Sequence, residues 1–418
     1  MRKTTTVILL LLSLTLTGCW DLTALEDAGF VSAMGIDLAT DEAGGYIWTY
    51  VLPKTEQLNV GVLSPPGGVR TYPAAEVVVR ADTLQQSVEM VQASMGRILT
   101  LEHLRFVVFG EDLARAGLAP VVSMLMRHNQ VRRGVGASVS VGPALETMKI
   151  FAPVLDVNPV KVEEGILLAE KRMHLSPPTR LQHLYARLLS LGQDAILSME
   201  VGNKEATEPA TTAPPPPTRR SFMAGQFPRH GGNPVEFAGT AVFRGDKLVG
   251  YLTVDETVIL LALRGEMGKV YQTVPDPKTP GKWISIRFGQ ENKPRIRTSF
   301  VNGRPVVQIQ LQMEGEVLST PTRTSYAIPE NRRLLEDHVA SWADANLYGP
   351  LVQKLYGEWH TDPVGLGQRF RHFFPTFTAW EAYDWPSHIK DVQVTVKSSM
   401  FIRRFGLLMQ ETGGPNRR

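Results

Sequence analysis

The chain has 418 residues, more than one hydrophobic core accommodates, so two to four domains are expected. Its 44 Lys and Arg against 41 Asp and Glu leave a net charge of +3, and removing Arg2 and Lys3 with a leader brings it closer still to neutrality. That balance excludes an electrostatic case for nucleic-acid binding, and the single Cys, Cys19, excludes an internal disulfide.

The chain opens with the basic stretch Met1-Arg2-Lys3 and an apolar run from Val7 to Leu16. That run is shorter than the about 20 residues a membrane-spanning helix needs. Charged start, apolar middle and small residues at the cut are the anatomy of a secretory signal peptide. Leu16-Thr17-Gly18-Cys19 resembles a bacterial lipobox, in which everything before a lipid-modified Cys is removed. An ordinary signal peptide with an accidental Cys and a signal anchor are the competing readings, and the placement of the lone Cys favours lipidation. No later segment approaches 18 uninterrupted apolar residues, so covalent lipid on Cys19 is the expected membrane attachment, on an extracytoplasmic face.

Downstream, Phe30–Ile36 and Tyr46–Leu52 read as strands joined through the Gly44-Gly45 turn. A Gly/Pro-rich loop follows at Ser64–Gly68. Asp82 and Gln85 suggest a capping box for a helix that places Leu84, Val88, Val91 and Met95 on one face, with Gly96 ending it. Leu104–Phe109 reads as a short buried strand. Helices are expected around Leu113 and Ala114, from Pro120 to His128, and after Pro143, with an alternating strand at Val135–Val141. Val160–Lys171 and Thr179–Leu191 read as two further helices. Composition then shifts: residues 202–233 hold Pro214–Pro217, several Thr and Ala, and Gly231-Gly232, the signature of a linker or long loop stiffened by polyproline geometry.

Beyond it, Glu236–Phe243 and Leu248–Val254 read as strands around the turn 244–247, and Asp255 as the cap of a short helix, Glu256–Arg264, ended by Gly265. Trp283–Phe288 is another strand. Ile296–Val301 and Pro305–Gln312 flank Asn302-Gly303, the pattern of a type I′ hairpin, and Glu316–Ser319 should extend that sheet. Glu330–His360 has a long helical pattern in which Gly349-Pro350 predicts a kink or break. Val392, Val394, Val396 and Ser398 mark a closing strand. The expected class is α+β, with three consecutive mixed α/β domains, the last an antiparallel sheet with a long helix packed across it. The boundaries are a signal peptide at 1–18, an N-terminal domain at 19–200, the Pro-rich linker at 201–233, a small middle domain at 234–292 and the C-terminal domain at 293–418.

Several short signatures recur along this frame. They are Cys19-Trp20-Asp21, Leu25-Glu26-Asp27, Met34-Gly35-Ile36-Asp37, Gly96-Arg97, His103-Leu104 and the run Val108 to Ala114. Further on come Ala241-Val242-Phe243, the run Asp246 to Leu252, Asp362 to Gly367, the aromatics Trp380 and Trp385, and Arg403 to Gly406. Their order and spacing around the lipobox resemble the Ger(x)C family, the lipoprotein C subunits of nutrient germinant receptors in endospore-forming bacteria. The resemblance spans nearly the whole mature chain. It implies three α+β domains on the outer face of the inner spore membrane and no catalytic activity. It implies as partners a transporter-like A subunit and a large B subunit with soluble and membrane parts.

Read for chemistry, the residues offer little beyond Cys19. The nine His form no His-Glu-x-x-His pattern, and His360 near Asp362 reads as a helix-end residue, so no metal and no cofactor are expected. No nucleophile elbow is present, Gly134-Val135-Gly136 is a fragment of a dinucleotide fingerprint in front of a strand, and the adjacent Glu163-Glu164 point different ways on a helix. Trp342, Trp359, Trp380 and Trp385 read as core rather than a ligand cage. Asp362, Gly365 and Gly367 form either a family surface motif or a tight turn whose Asp caps the next helix. A solute-binding lipoprotein of a transporter is the alternative function. It would show two lobes of repeated βαβ units, against which the antiparallel C-terminal third and the Pro-rich linker count.

Overall fold

The computed structural model describes residues 27–53, 74–151, 165–166, 168, 172–203, 222–227, 229, 231–320 and 324–406. Cys19, the loop at 64–68, Glu163-Glu164, most of the helix expected over 160–171 and the polyproline run lie outside them.

The N-terminal part alternates strands and helices: β1 (Ala28–Phe30), β2 (Ala33–Leu38), β3 (Tyr46–Pro53), β4 (Ala74–Ala81), α1 (Leu84–Met95), β5 (Ile98–Thr100), β6 (Phe106–Phe109), α2 (Glu111–Ala116), α3 (Ala119–Arg127), β7 (Gly136–Ser140), α4 (Ala144–Ile150), α5 (Leu181–Leu188) and β8 (Ile196–Gly202). Then come β9 (Val235–Arg244), β10 (Lys247–Leu252) and α6 (Val254–Arg264). An eight-stranded sheet has the order β10-β9-β8-β7-β6-β2-β3-β4, parallel from β2 through β8 and antiparallel at both ends. Its parallel strands are nearly all buried because helices cover both faces. Val107, Phe109, Val139 and Leu197 meet α1, α2, α3 and α5 on one face, and Phe106 and Val108 meet α4 on the other.

The C-terminal part comprises β11 (Val270–Pro275), β12 (Trp283–Gly289), β13 (Arg295–Val301), β14 (Arg304–Ser319), the helix α7 (Pro329–Ala343) and β15 (Gln393–Arg404). β14 is one 16-residue strand spanning both segments read separately from the sequence. β13 and β12 pair antiparallel with its first and second halves along one edge, and β15 runs parallel to it along the other. Asn302 and Gly303 both have positive φ, 52° and 76°, as a type I′ turn requires. Alternate residues of β14 are buried, so one sheet face packs on α6 and α7 and the other meets solvent.

The α+β class and the C-terminal sheet with its helix are as expected, but the middle segment is organised differently. Residues 234–292 build no sheet of their own: β9 pairs with β8 and extends the N-terminal sheet, whereas β11 and β12 join the C-terminal one. Between them α6 is buried all round from Thr257 through Leu263, after its first turn. Such a helix sits inside a core rather than on a surface. Ile196, Val242 and Leu252 from one sheet share a continuous apolar cluster with Ile259, Leu260 and Leu263 of α6 and Val307, Ile309 and Leu311 from the other. Each of those buried side chains contributes about 1.5–3 kcal/mol, which is why the two sheets hold together.

Local capping also differs from the sequence expectation by a residue or two. Thr83, not Asp82, caps α1, accepting from the Gln86 N–H at 3.2 Å, while the Asp82 N–H donates to the Gln86 side chain at 3.0 Å. Thr253, not Asp255, caps α6 in a reciprocal box with Glu256. At Gly349-Pro350, where a kink or break is expected, the helical run does not break. The chain passes from α7 into the π-helical turn Asp344–Tyr348, the α-helical turn Gly349–Val352 and a second π-helical stretch, Gln353–Glu358. Pro350 lacks an N–H and its ring crowds the carbonyl one turn back, and a widened turn relieves both without ending the helix.

Candidate functional site, a buried aspartate at the joint between the sheets

The helical run ends at Glu358, and His360, with φ of 51°, reverses the chain while its Nδ1 donates to the Tyr356 carbonyl at 3.0 Å. This places Thr361 and Asp362 against the N-terminal sheet, where both are fully buried. The Asp362 carboxylate receives five donors. Tyr356 Oη at 2.7 Å and the N–H groups of Gly365 at 2.8 Å and Leu366 at 2.9 Å reach Oδ1. The Gly367 N–H at 2.7 Å and the Trp385 indole N–H at 3.1 Å reach Oδ2. Burial pushes this carboxyl above its ordinary range, and the donors from Gly367, Tyr356 and Leu366 pull the other way.

The motif Asp362–Gly367 is therefore an interior turn. Gly365 has φ of 84°, a left-handed conformation that favours Gly. At Gly367 a Cβ would overlap the Trp385 indole. Asp362 satisfies the N–H groups at the head of the single turn Gly367–Phe370, which that turn cannot satisfy internally. The surface reading of these three residues is excluded by their burial.

Sequence reasoning missed the other half of the joint, Asp194. Its N–H donates to the Asp362 carbonyl at 2.9 Å, and its Oδ2 accepts from the Asp362 N–H at 2.7 Å and from Thr361 Oγ1 at 2.9 Å. Its Oδ1 accepts from the Gly245 N–H at 2.8 Å in the β9–β10 turn. The single Thr361 hydroxyl proton is shared between Asp194 and the Phe243 carbonyl, and Arg264 at the end of α6 donates to the Pro363 carbonyl. The Gln368 N–H donates to the Gly192 carbonyl at 3.1 Å. The Gly192-Gln193-Asp194 stretch between α5 and β8 was the only local hint, and it reads as an ordinary loop.

An ionised carboxylate offers about four lone-pair positions. Five donors saturate Asp362, which leaves no capacity for a substrate or metal. The arrangement works as a weld: it ties residues 361–368 to the loop before β8 and to the β9–β10 turn. Trp380 and Trp385 pack as core beside it, and the half-buried Trp342 and Trp359 lie against the same cluster. Other singled-out residues play similar parts. Asp37 caps α4 from a distance, accepting from the Ala144 and Leu145 N–H groups at 2.7 and 3.0 Å. Glu111 accepts from the Gly142 N–H at 3.1 Å, and the Asp246 carbonyl accepts from the Leu118 N–H at 2.9 Å. Among the described residues no cluster of three His, Cys, Asp or Glu could hold a metal ion, and no helix is long and apolar enough to cross a membrane.

Two family models match the chain. One, described as the spore germination protein N-terminal domain, covers residues 21–199, and the other, described as spore germination B3/GerAC like, C-terminal, covers residues 238–406. Among proteins of Bacillus subtilis (strain 168), the chain is 24% identical to the putative spore germination protein YfkR, with 96% of each chain covered. It is 23% identical to spore germination protein KC over 97% of each chain, and 21% identical to spore germination protein B3 over 94% of this chain and 95% of that one. The crystal structure of the GerBC protein superposes with a TM-score of 0.52 at 18% identity, covering 91% of this chain and 99% of that one, a likeness of fold.

Proposed function

This chain belongs to the GerAC-like family of spore germination proteins, and we propose that it is the membrane-anchored lipoprotein subunit of a nutrient germinant receptor. The observation that carries the reading is coverage: the family matches run from residue 21 to residue 406 and begin two positions after Cys19. A lipobox immediately upstream of a family domain supports Cys19 as the lipid attachment point, with the folded part held on the outer face of the inner spore membrane. Its partners in this reading are the transporter-like A subunit and the large B subunit, and its task is contact rather than catalysis. The welded joint at Asp194 and Asp362 suits that task, because it presents the faces of both sheets in one fixed relation. The mixed eight-stranded sheet and the separate, largely antiparallel five-stranded sheet do not match two lobes of repeated βαβ units, which weighs against the solute-binding alternative.

The test is Cys19→Ala in the sporulating organism, followed by membrane fractionation and a germination assay with the cognate nutrient. Loss of membrane retention together with loss of the nutrient response is expected. A normal response from the soluble form would overturn the anchoring role.

A further inference from the structure

The sheet face under α4 carries a chemistry that the proposed function does not use. Phe106 and Val108 alternate with the core-facing Val107 and Phe109, so they point to this opposite face. Here lies a cavity with about 510 Å³ of empty space, its open mouth included. Its walls are apolar and aromatic: Met148 of α4 and the rings of Phe106, Phe151 and Phe237. Phe237 meets Phe106 edge-on at 6.1 Å and Phe151 at 6.4 Å between ring centroids. Into these walls β8 inserts Glu200, only 2% exposed. One of its oxygens accepts from Ser138 Oγ at 2.8 Å, and the other accepts no hydrogen bond from the described residues. Glu76 stands exposed at the rim, and the described lining residues include no Lys, Arg or His.

A buried carboxylate with a free oxygen is costly when ionised and unpaired. We propose that this cavity binds a small organic ammonium ion with an apolar body, its N–H donors on Glu200 and its charge against the rings of Phe106, Phe151 and Phe237. Three features select that class. The carboxylate supplies charge and acceptors, the ring faces carry negative potential that favours a cation, and the aliphatic and aromatic wall accepts the body. A zwitterionic amino acid is disfavoured, because its carboxylate would lie among Glu76, Glu200 and apolar side chains. A neutral alcohol of the same shape keeps the body contacts and loses the charge. Burial places the Glu200 carboxyl at about 7, so the empty site is partly protonated near neutrality and a bound cation draws it to the ionised form.

The probes are isobutylamine, isobutanol and valine, which share one branched body and differ in the polar end. Each is titrated calorimetrically into the full chain in detergent at about pH 8 and about pH 5.5, either side of the Glu200 titration. At the higher pH isobutylamine should bind about tenfold or more tighter than isobutanol, the margin of a charge-assisted hydrogen bond, and valine should give no saturable heat. Isobutylamine affinity should fall by about tenfold or more at the lower pH, where protonation of Glu200 removes its partner. Glu200→Gln should bring the amine to the level of the alcohol and abolish the pH dependence. Phe237→Leu, which keeps apolar volume and removes a ring, should weaken the amine severalfold and leave the alcohol unchanged. An amine that does not bind, that binds no better than isobutanol, or that binds Glu200→Gln as it binds the parent chain would overturn the proposal.

Discussion

Asp194 and Asp362 hold each other by two reciprocal hydrogen bonds, one between backbones and one from the Asp362 backbone to the Asp194 side chain. The Asp194 N–H donates to the Asp362 carbonyl at 2.9 Å, and the Asp362 N–H donates back to the Asp194 carboxylate at 2.7 Å. The pair lies 168 residues apart in the chain, and it joins the loop before β8 to the turn that closes the long helical run. Asp194→Ala should strand the N–H groups of Gly245 and Asp362 without acceptors. The Gly245 N–H lies in an exposed turn and can turn to water, so the cost falls on the buried Asp362 N–H. One such loss costs about 1–3 kcal/mol, and denaturant unfolding should show a drop of that size. Limited proteolysis should then cut near residues 243–246 faster than in the parent chain.

Asp362→Asn tests the carboxylate itself. The amide presents a donor where N–H groups and an indole already donate, so two donors face each other in a buried site. The expected destabilisation is about 3 kcal/mol or more. Tyr356→Phe removes one of the five donors and leaves Oδ1 two backbone partners, so it should cost about 1 kcal/mol. A larger loss for Tyr356→Phe than for Asp362→Asn would contradict this ranking.

Glu200 makes stability fall as pH rises. Its folded value of about 7 lies above its ordinary value of 4.5, so the unfolded chain releases this proton first. Stability from this group is intact below about pH 4.5 and is lost as pH climbs through about 7. The loss amounts to about 3 kcal/mol. Urea unfolding of the parent chain and of Glu200→Gln at about pH 5 and about pH 8 should show this component only in the parent.

Thr253→Ala should cost about 1 kcal/mol, because it removes the hydroxyl that accepts from the Glu256 N–H and leaves half of a reciprocal box. Thermal unfolding should show the drop, and Thr253→Ser should recover most of it, since Ser supplies the same acceptor. Equal losses for the two substitutions would assign the effect to the methyl group.

Features that depend on neighbours in sequence were readable. The Asn302-Gly303 hairpin, the helix ended by Gly265 and the buried strand near Phe106–Phe109 rest on turn chemistry and periodicity within about ten residues. Caps were readable only approximately: Asp82 lies one residue from Thr83 and Asp255 two residues from Thr253, each is an equally good sequence candidate, and side-chain geometry chose the Thr. The strands β4, β5, β8 and β11 were missed. β8 carries Ser198 and Glu200 among apolar residues, and its burial under helices, rather than alternation, makes it a strand.

By itself the sequence determined the likeness to a lipobox at Cys19, the α+β character and the family resemblance, because these reside in local order, spacing and residue type. Tertiary structure alone decided that residues 235–252 complete the N-terminal sheet, that β15 closes parallel on β14, and that Asp362 is an interior acceptor rather than a surface group. The physical reason is common to all three. Which strand edge, carbonyl or N–H group a residue meets depends on long-range pairing, and that pairing is won by the total apolar area buried between the sheets around α6, a quantity no local pattern contains.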